Sequence, residues 1–441
     1  MNIYALSSGR GPSGIAIVRL SGKDALKIAA LISKNDNLQS NKVNHCNFFD
    51  PFDLELIDEG ILLLFKSPNS FTGSNLVEFH IHGSNAVINK FLKVLSLQKD
   101  CRLAEPGEFT KLAFQNDKID LIKAESIGDL IHSETELQRK QAIKFVQGNA
   151  STYYNDLRKK LVKALSYIEA KIDFGEDDLP EKVLQEVHKS IKNIYKDIKK
   201  ILEDNKVGEK IREGFKVSIV GEVNAGKSSL LNLLSKREVA IVSEEEGTTR
   251  DIIEVYLNID GYPVVLADTA GIREAKSEIE QKGISLALGR SKESDLNIIV
   301  IDNSSTKIDP KIKALADGDS IVLLNKSDIN NKQNHEFNAD IILVSVKDNK
   351  NIDKLIDKLK DKLSNKFISS NNILISRERH RIKLNQCLKE IDNFLQKDQN
   401  KDIELAAEDL RLATRHLGSI IGKVDVEEIL GSIFKDFCIG K

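Results

Sequence analysis

A chain of 441 residues is too long for one hydrophobic core, so two or three domains are expected. Its 41% hydrophobic and 30% charged residues exclude a disordered chain, and no apolar run is long enough to span a bilayer as a helix. The formal net charge of -2 announces no nucleic-acid partner. The opening "MNIYALSSGRGPSG" lacks the apolar core of a secretory signal, and Cys46, Cys101, Cys387 and Cys438 are scattered without metal-ligand spacing. A reduced, cytoplasmic protein is expected.

Residues 1–117 read as a mixed α+β domain. "GIAIVRLSG" and "GILLLF" are short apolar runs bounded by Gly, and "NLVEFHIHG" alternates in part, as a half-buried strand does. From 118 to 213 the period becomes helical: Leu157, Leu161, Leu165, Ile168 and Ile172 form one stripe. After the break "FGEDDLP", Val183, Val187, Ile191, Ile194, Ile198 and Ile201 form a second. Between 214 and 368 the runs "KVSIV", "YPVVLAD", "LNIIVID", "SIVLLN" and "DIILVS" alternate with polar, helix-like segments, which predicts a largely parallel sheet covered by helices. Helix returns over 369–441, where Leu410, Ala413, Leu417 and Ile420 continue a three-four pattern up to "FCIGK". The expected architecture is therefore an α/β domain inserted into a discontinuous helical domain, behind an N-terminal α+β domain.

"GEVNAGKSSLLN" fits G-x-x-x-x-G-K-S, follows a strand and opens a helix, the context that a phosphate-binding loop needs. Gly221 and Gly226 let backbone N–H groups turn toward phosphates, and the helix N-terminus adds a favourable dipole. Lys227 is placed to reach the β and γ phosphates, and the Ser228 hydroxyl to ligate Mg²⁺. "NKSD" (Asn325, Lys326, Ser327, Asp328) ends a later strand; the Asp328 carboxylate can accept from guanine N1–H and the 2-amino group, which adenine cannot match. Ser345, Val346 and Lys347 follow the next strand and could close over the base. In "EEEGTTRD", Thr249 is the candidate second hydroxyl ligand of Mg²⁺. In "DTAGIRE", Asp268 with Thr269, Ala270 and Gly271 belongs beside the metal and terminal phosphate. Many such enzymes follow this Gly with a water-orienting Gln, but here the position holds Ile272, which cannot hydrogen-bond through its side chain. The chain either hydrolyses nucleotide badly or takes its catalytic group from elsewhere.

Together these motifs resemble the translation-factor-like class of Ras-like P-loop GTPases, and "NAGKSS", "GTTRD" and "DTAGIRE" narrow the resemblance to the TrmE–Era branch. Three further stretches, "SSGRGPSGIAIVRLSG", "EPGEFTKLAFQNDKIDLIKAESIGDLI" and the terminal "FCIGK", look like signatures of the MnmE (TrmE) family of tRNA-modifying GTPases. The resemblance covers essentially the whole chain in the right order.

It implies a homodimer formed through a tetrahydrofolate-binding-like N-terminal domain, and a heterotetramer with the FAD protein MnmG. The implied reaction installs an aminomethyl or carboxymethylaminomethyl group on carbon 5 of wobble uridine 34 in tRNA, with tRNA held largely through MnmG. The one-carbon donor is 5,10-methylenetetrahydrofolate or 5-formyltetrahydrofolate, contacted at the positions of Arg19, Glu78, Lys118 and Lys441. Cys438 falls near the folate site as a candidate for the modification chemistry. Glu78, His80 and His82 share one strand face, but as site architecture rather than a metal site.

For hydrolysis the resemblance implies a K⁺ ion held by Asn224 and by first-switch oxygens around Ser243, Glu245 and Thr248. It implies GTP contacts through Asn224, Ala225, Gly226, Lys227, Ser228 and Ser229, and through Glu244, Glu246, Gly247 and Thr248. The water-orienting carboxylate falls at Glu280, with Glu278 competing two residues away. The loop "SEEEGTTRD" is more acidic than the usual family segment. A GTP-dependent RNA-binding assembly switch of the Era-like branch is the rival reading, and a nucleotide-gated scaffold that moves MnmG is a third.

Overall fold

The computed structural model describes residues 1–9, 11–174, 181–237, 239–241, 254–268, 289, 291–305, 308–329, 337–367, 373–398, 402–424, 427–435 and 437–440. The chain divides into two compact units, one of residues 1–128, 145–163 and 411–441, the other of residues 129–144 and 164–410. The divisions fall inside four helices, Leu121–Ile131, Glu136–Val146, Asn149–Phe174 and Ile403–Ile421.

In the first unit, strands β1 (Asn2–Leu6), β2 (Ser13–Ser21), β3 (Asn44–Phe49), β4 (Leu56–Phe65), β5 (Leu76–Gly83) and β6 (Cys101–Leu103) form one sheet in the order β3-β4-β5-β2-β1-β6. Neighbours are antiparallel except β1 and β6, which run parallel. Helices Ala25–Ser33 and Asn85–Ser96 supply Ile28, Ile32, Phe91 and Leu95 to a core with Val18, Leu20, Phe48, Leu62 and Phe79. Phe48 meets Phe79 and Phe91 edge-on, at ring distances of 5.7 and 5.6 Å. Because side chains alternate along a strand, burying Val77, Phe79 and Ile81 of β5 sends Glu78, His80 and His82 to the other face. That face carries the N-terminal site. A smaller cluster joins Ile3, Ala5, Leu76 and Ala104 to Phe109 of the helix Glu108–Gln115. Near the chain's end, Phe434 and Phe437 pack with Ala124. The tail then returns to the sheet side, where Ile439 makes an antiparallel bridge with Pro106.

In the second unit, β7 (Phe215–Gly221), β8 (Glu254–Ile259), β9 (Tyr262–Asp268), β10 (Leu296–Asp302), β11 (Ile321–Asn325) and β12 (Asp340–Leu343) form a sheet in the order β12-β11-β10-β7-β9-β8. All pairs are parallel except the β8–β9 hairpin at the edge. Helices cover both faces, so central strands are apolar throughout; every residue of β11 is buried. Leu230, Leu231 and Leu234 of the helix Lys227–Leu234, with Leu355, Leu359 and Leu363 of Ile352–Phe367, cover one face; Ile312 packs with Ile299, Ile301, Val322 and Leu324 on the other.

The helix Glu181–Leu202 packs on Glu378–Gln396. Their buried residues are Val187, Ile191, Ile194 and Ile198 on the first, and Leu384, Cys387, Ile391 and Phe394 on the second. The expected stripe of Asn149–Phe174 needs one correction. Ala164 is buried at 3% exposure where Leu165 was expected, and Leu165 is only partly buried. A four-three-four spacing (157, 161, 164, 168) follows the 3.6-residue turn more closely than four-four-three.

Candidate functional site

The strand β7 ends at Gly221 and the helix Lys227–Leu234 begins six residues later, so the "GEVNAGKS" segment forms the loop between them. Gly226, the helix N-cap, has φ 102, a conformation that side chains resist, and an added Cβ there would lie 2.2 Å from Asn325 Nδ2. Asn224 also sits in the left-handed region at φ 62, which Asn tolerates better than most residues. Lys227 is buried, and its ammonium donates to the Gly221 carbonyl at 3.0 Å and the Glu222 carbonyl at 2.8 Å. This holds the positive charge across the loop, where phosphate oxygens could take over those bonds. Ser228 and Ser229 are exposed on the first turn.

The parallel strands β7, β9, β10 and β11 place Gly221, Asp268, Asp302 and Asn325 at their carboxyl ends, the edge where open α/β sheets bind ligands. The pairing of Ile219 with Asp268 brings the end of β9 alongside that of β7. Asn325 is 3% exposed and bridges two loops: its Nδ2 donates to the Ala225 carbonyl at 2.8 Å, and its Oδ1 accepts from the Val346 N–H at 3.1 Å. Lys326, at φ 63, pairs with Asp302 at 2.6 Å. Burial alone would raise the Asp302 pKa, but hydrogen bonds from Lys326 and Ser304 outweigh it and lower it. Ser345 is fully buried and donates its hydroxyl to Asp328 Oδ1 at 2.8 Å. That bond, with backbone help, holds the Asp328 carboxyl below its ordinary range, so it is an ionised acceptor at neutral pH.

One cavity of about 730 Å³ is lined by both ends, with Asn224, Gly226 and Ser229 from the phosphate loop and Asn325, Lys326, Asp328, Val346 and Lys347 from the base-reading loops. That size suits a nucleotide-scale ligand. Asn232, Leu233, Lys236 and Ile329 also line it and were not foreseen, nor was Asp302 as the partner of Lys326. Asp302 was detectable in principle, since it ends the apolar run "LNIIVID" at a strand's carboxyl end.

On the N-terminal sheet, β2 and β5 pair Arg19 with Glu78 across the ladder. Glu78 Oε1 accepts from Arg19 Nη2 at 2.7 Å and from Nε at 3.0 Å. The guanidinium lies 5.6 Å from the Phe109 ring centre and 5.9 Å from that of Phe71. The tail joins this group through the Gly440 carbonyl, which accepts from Ser7 Oγ at 2.8 Å and Arg19 Nη1 at 3.4 Å. The Gly107 N–H donates to the Cys438 carbonyl at 3.3 Å, while the Cys438 side chain is exposed. His80 Nε2 stands 3.8 Å from Glu78 Oε2, and His82 Nδ1 lies 2.8 Å from Asp58 Oδ1. Lys118 is exposed after the helix Glu108–Gln115 and, among the described residues, forms no ion pair with Glu78, whose partner is Arg19. The structure thus joins Arg19, Glu78 and the tail backbone, but not the Lys118 side chain.

Several expected site residues lie outside the described residues: Ser243, Glu244, Glu245, Glu246, Gly247, Thr248 and Thr249, then Thr269, Ala270, Gly271, Glu278, Glu280 and Lys441. Asp268 is described in its backbone alone.

A profile of the MnmE helical domain matches residues 121–438, and one of the GTP-binding protein TrmE N-terminus matches residues 2–118. The chain is 58% identical over 444 residues to the tRNA modification GTPase MnmE of Pelagibacter ubique (strain HTCC1062), covering 100% of both. It is 42% identical over 453 residues to that of Rickettsia bellii (strain RML369-C), covering 100% of this chain and 99% of the relative. Among solved structures, Aquifex aeolicus Era bound to GDP.AlF4- aligns at 23% identity and TM-score 0.26, over 40% of this chain and 66% of that one, too weak a likeness to carry an argument.

Proposed function

The chain belongs to the MnmE family of tRNA modification GTPases, and from that premise we propose that it is a potassium-dependent GTP hydrolase that works with MnmG on wobble uridine 34. As a member it is a GTP hydrolase of tRNA modification. The observation that carries the nucleotide reading is that one cavity is lined by both Gly226 of the phosphate loop and Asp328 of the base-reading loop. Lys227 binds the β and γ phosphates, and the ionised Asp328 accepts from the guanine edge. Ser228, an exposed hydroxyl at the helix N-terminus, is a hard oxygen donor that fits Mg²⁺, with Thr249 as its partner ligand.

Ile272 leaves the attacking water without a side-chain partner at that position, so Glu280 is proposed to orient it. The exposed Asn224 side chain fits K⁺ as an oxygen donor, with Ser243, Glu245 and Thr248 supplying the rest. Bound there, the cation would neutralise charge developing between the β and γ phosphates, the task of an arginine finger, worth about 10³–10⁵ in rate. That is about 4–7 kcal/mol of barrier.

At the N-terminal site, Glu78 Oε2 is left to accept from a pterin edge, while Arg19, within 6 Å of the Phe71 and Phe109 ring centres, suits an anionic, aromatic ligand, which supports a folate one-carbon donor. The proposed domains are 1–117 for folate binding and homodimerisation, 214–368 for GTP, and the helical halves 118–213 and 369–441. FAD resides on MnmG.

Turnover in KCl against NaCl at equal ionic strength tests the potassium role; equal rates would remove it. Mass spectrometry of wobble uridines after gene deletion tests the pathway. Normal uridine 34 with defective ribosome assembly would instead support the Era-like assembly switch.

A further inference from the structure

The helix Glu181–Leu202 buries Val187, Ile191, Ile194 and Ile198, while Lys189, Lys192, Lys196, Lys199 and Lys200 are exposed. Steps of three and four residues put these lysines on one strip, about 16 Å long at 1.5 Å per residue. Two acidic residues of the helix stand at i,i+3 spacing to the strip, Glu186 before Lys189 and Asp197 before Lys200, whereas Lys192 and Lys196 have none three or four positions away. Among the described residues none of the five lysines comes within ion-pair distance of a carboxylate, Glu186 and Asp197 included. The equally Lys-rich helix Ile352–Phe367 contrasts with this: its Lys358 and Lys362 pair with Asp340, and its Lys360 with Asp260. Unmatched like charges at i,i+3 and i,i+4 are unfavourable in a helix. The helix dipole accounts for Lys199 and Lys200 in the last turn, but its effect fades before Lys189, Lys192 and Lys196.

We infer that this strip is a phosphate-binding surface for the tRNA substrate. A polyanion relieves the mutual repulsion of the strip, and a nucleic-acid duplex presents several phosphates over this length. The surface reads charge and spacing rather than base sequence, because lysine ammoniums are point charges with no planar hydrogen-bonding fork. The inference rests on tRNA being the substrate.

The test is a titration of the full-length, GDP-loaded chain with total deacylated tRNA over a range of salt concentrations. It compares wild type with a triple variant, Lys189→Gln, Lys192→Gln and Lys196→Gln; glutamine preserves helix propensity. Each lost phosphate contact lowers the slope of log affinity against log salt by about 0.7–0.9, so the triple variant should lose about 2–3 from the slope. Its affinity near physiological salt should fall at least about tenfold, while GTP hydrolysis without tRNA stays at the wild-type rate. Unchanged affinity and slope would overturn the inference. So would a wild-type chain that binds no tRNA, or one whose strip binds vesicles of anionic phospholipid and not tRNA. Loss of modified uridine 34 on gene deletion, together with an unaltered triple variant, sinks the surface alone; uridine 34 modified normally without the gene sinks the substrate reading itself.

Discussion

Replacing Asn325 with alanine removes the amide that ties the phosphate loop to the base-reading loop. The amide makes two bonds, to the Ala225 carbonyl at 2.8 Å and from the Val346 N–H at 3.1 Å, and is 3% exposed. A buried polar group left without its partner costs about 1–3 kcal/mol, and the change orphans two, an upper range of about 2–6 kcal/mol. Water from the adjoining cavity can reach part of this loss, so about 2–3 kcal/mol of local stability should go. Hydrogen exchange of the Val346 amide reads this directly, without assuming that a multidomain chain unfolds in one step. The amide should exchange about 30- to 150-fold faster in nucleotide-free Asn325→Ala, at 1.4 kcal/mol per factor of ten. A rate within about threefold of wild type would refute the bridging role. A cycle with Gly226→Ala adds a signed check, because the new methyl collides with Asn325 Nδ2 at 2.2 Å. Asn325→Ala should relieve that collision but not the strain of φ 102, so the double variant should lose about 0.5–3 kcal/mol less than the sum of the two single losses.

Other outcomes follow from the same contacts. Asp328→Asn should cost about 1–3 kcal/mol of preference for GTP over ATP, about 5- to 150-fold in relative affinity by competition; an unchanged ratio would remove the base-reading role. The Asp328 carboxyl lies below its ordinary 3.8, so its contribution is present above that value and is lost only as pH falls below it. Guanine preference should therefore stay flat from neutral pH down to about 5, and a midpoint near 6 would point to another group. Arg381→Met leaves Glu209, 5% exposed, and Asp204 without the guanidinium that joins them, and should cost about 3–5 kcal/mol in thermal or urea unfolding of the second unit. Gly440→Ala puts a methyl 2.2 Å from the Leu6 carbonyl at φ 97, so the tail should lose protection from exchange while GTP hydrolysis persists; an undisturbed tail would show that its docking is not held there.

The amino-acid order already displayed the strand–loop–helix of "KVSIVGEVNAGKSS", the later apolar runs that became β9 to β12, and the replacement of a water-orienting side chain by Ile272. These are local features: a period of two or 3.6, a glycine at a turn, a motif whose atoms all lie within a dozen residues. The strands β1, β3 and β6 carried no such mark, because "NIYAL", "NHCNFF" and "CRL" are too short to show a period and are stabilised by partners far along the chain. Whether Ala164 or Leu165 faces the core is likewise set by what packs against the helix.

The two sites show the division most clearly. Resemblance could name Arg19 and Glu78, but only the β2–β5 register sets them face to face, 59 positions apart, and only the returning tail adds the Gly440 carbonyl. "NKSD" announced a base-reading Asp328, yet the Ser345 hydroxyl that lowers its pKa lies 17 residues away, and the Asn325 bridge reaches Ala225, 100 residues away. Sequence determines which groups are present and the local conformations they favour. Which distant groups meet is decided by burial of the two sheets; a one-residue slip of β5 on β2, for example, would turn Glu78 away from Arg19 to the opposite face.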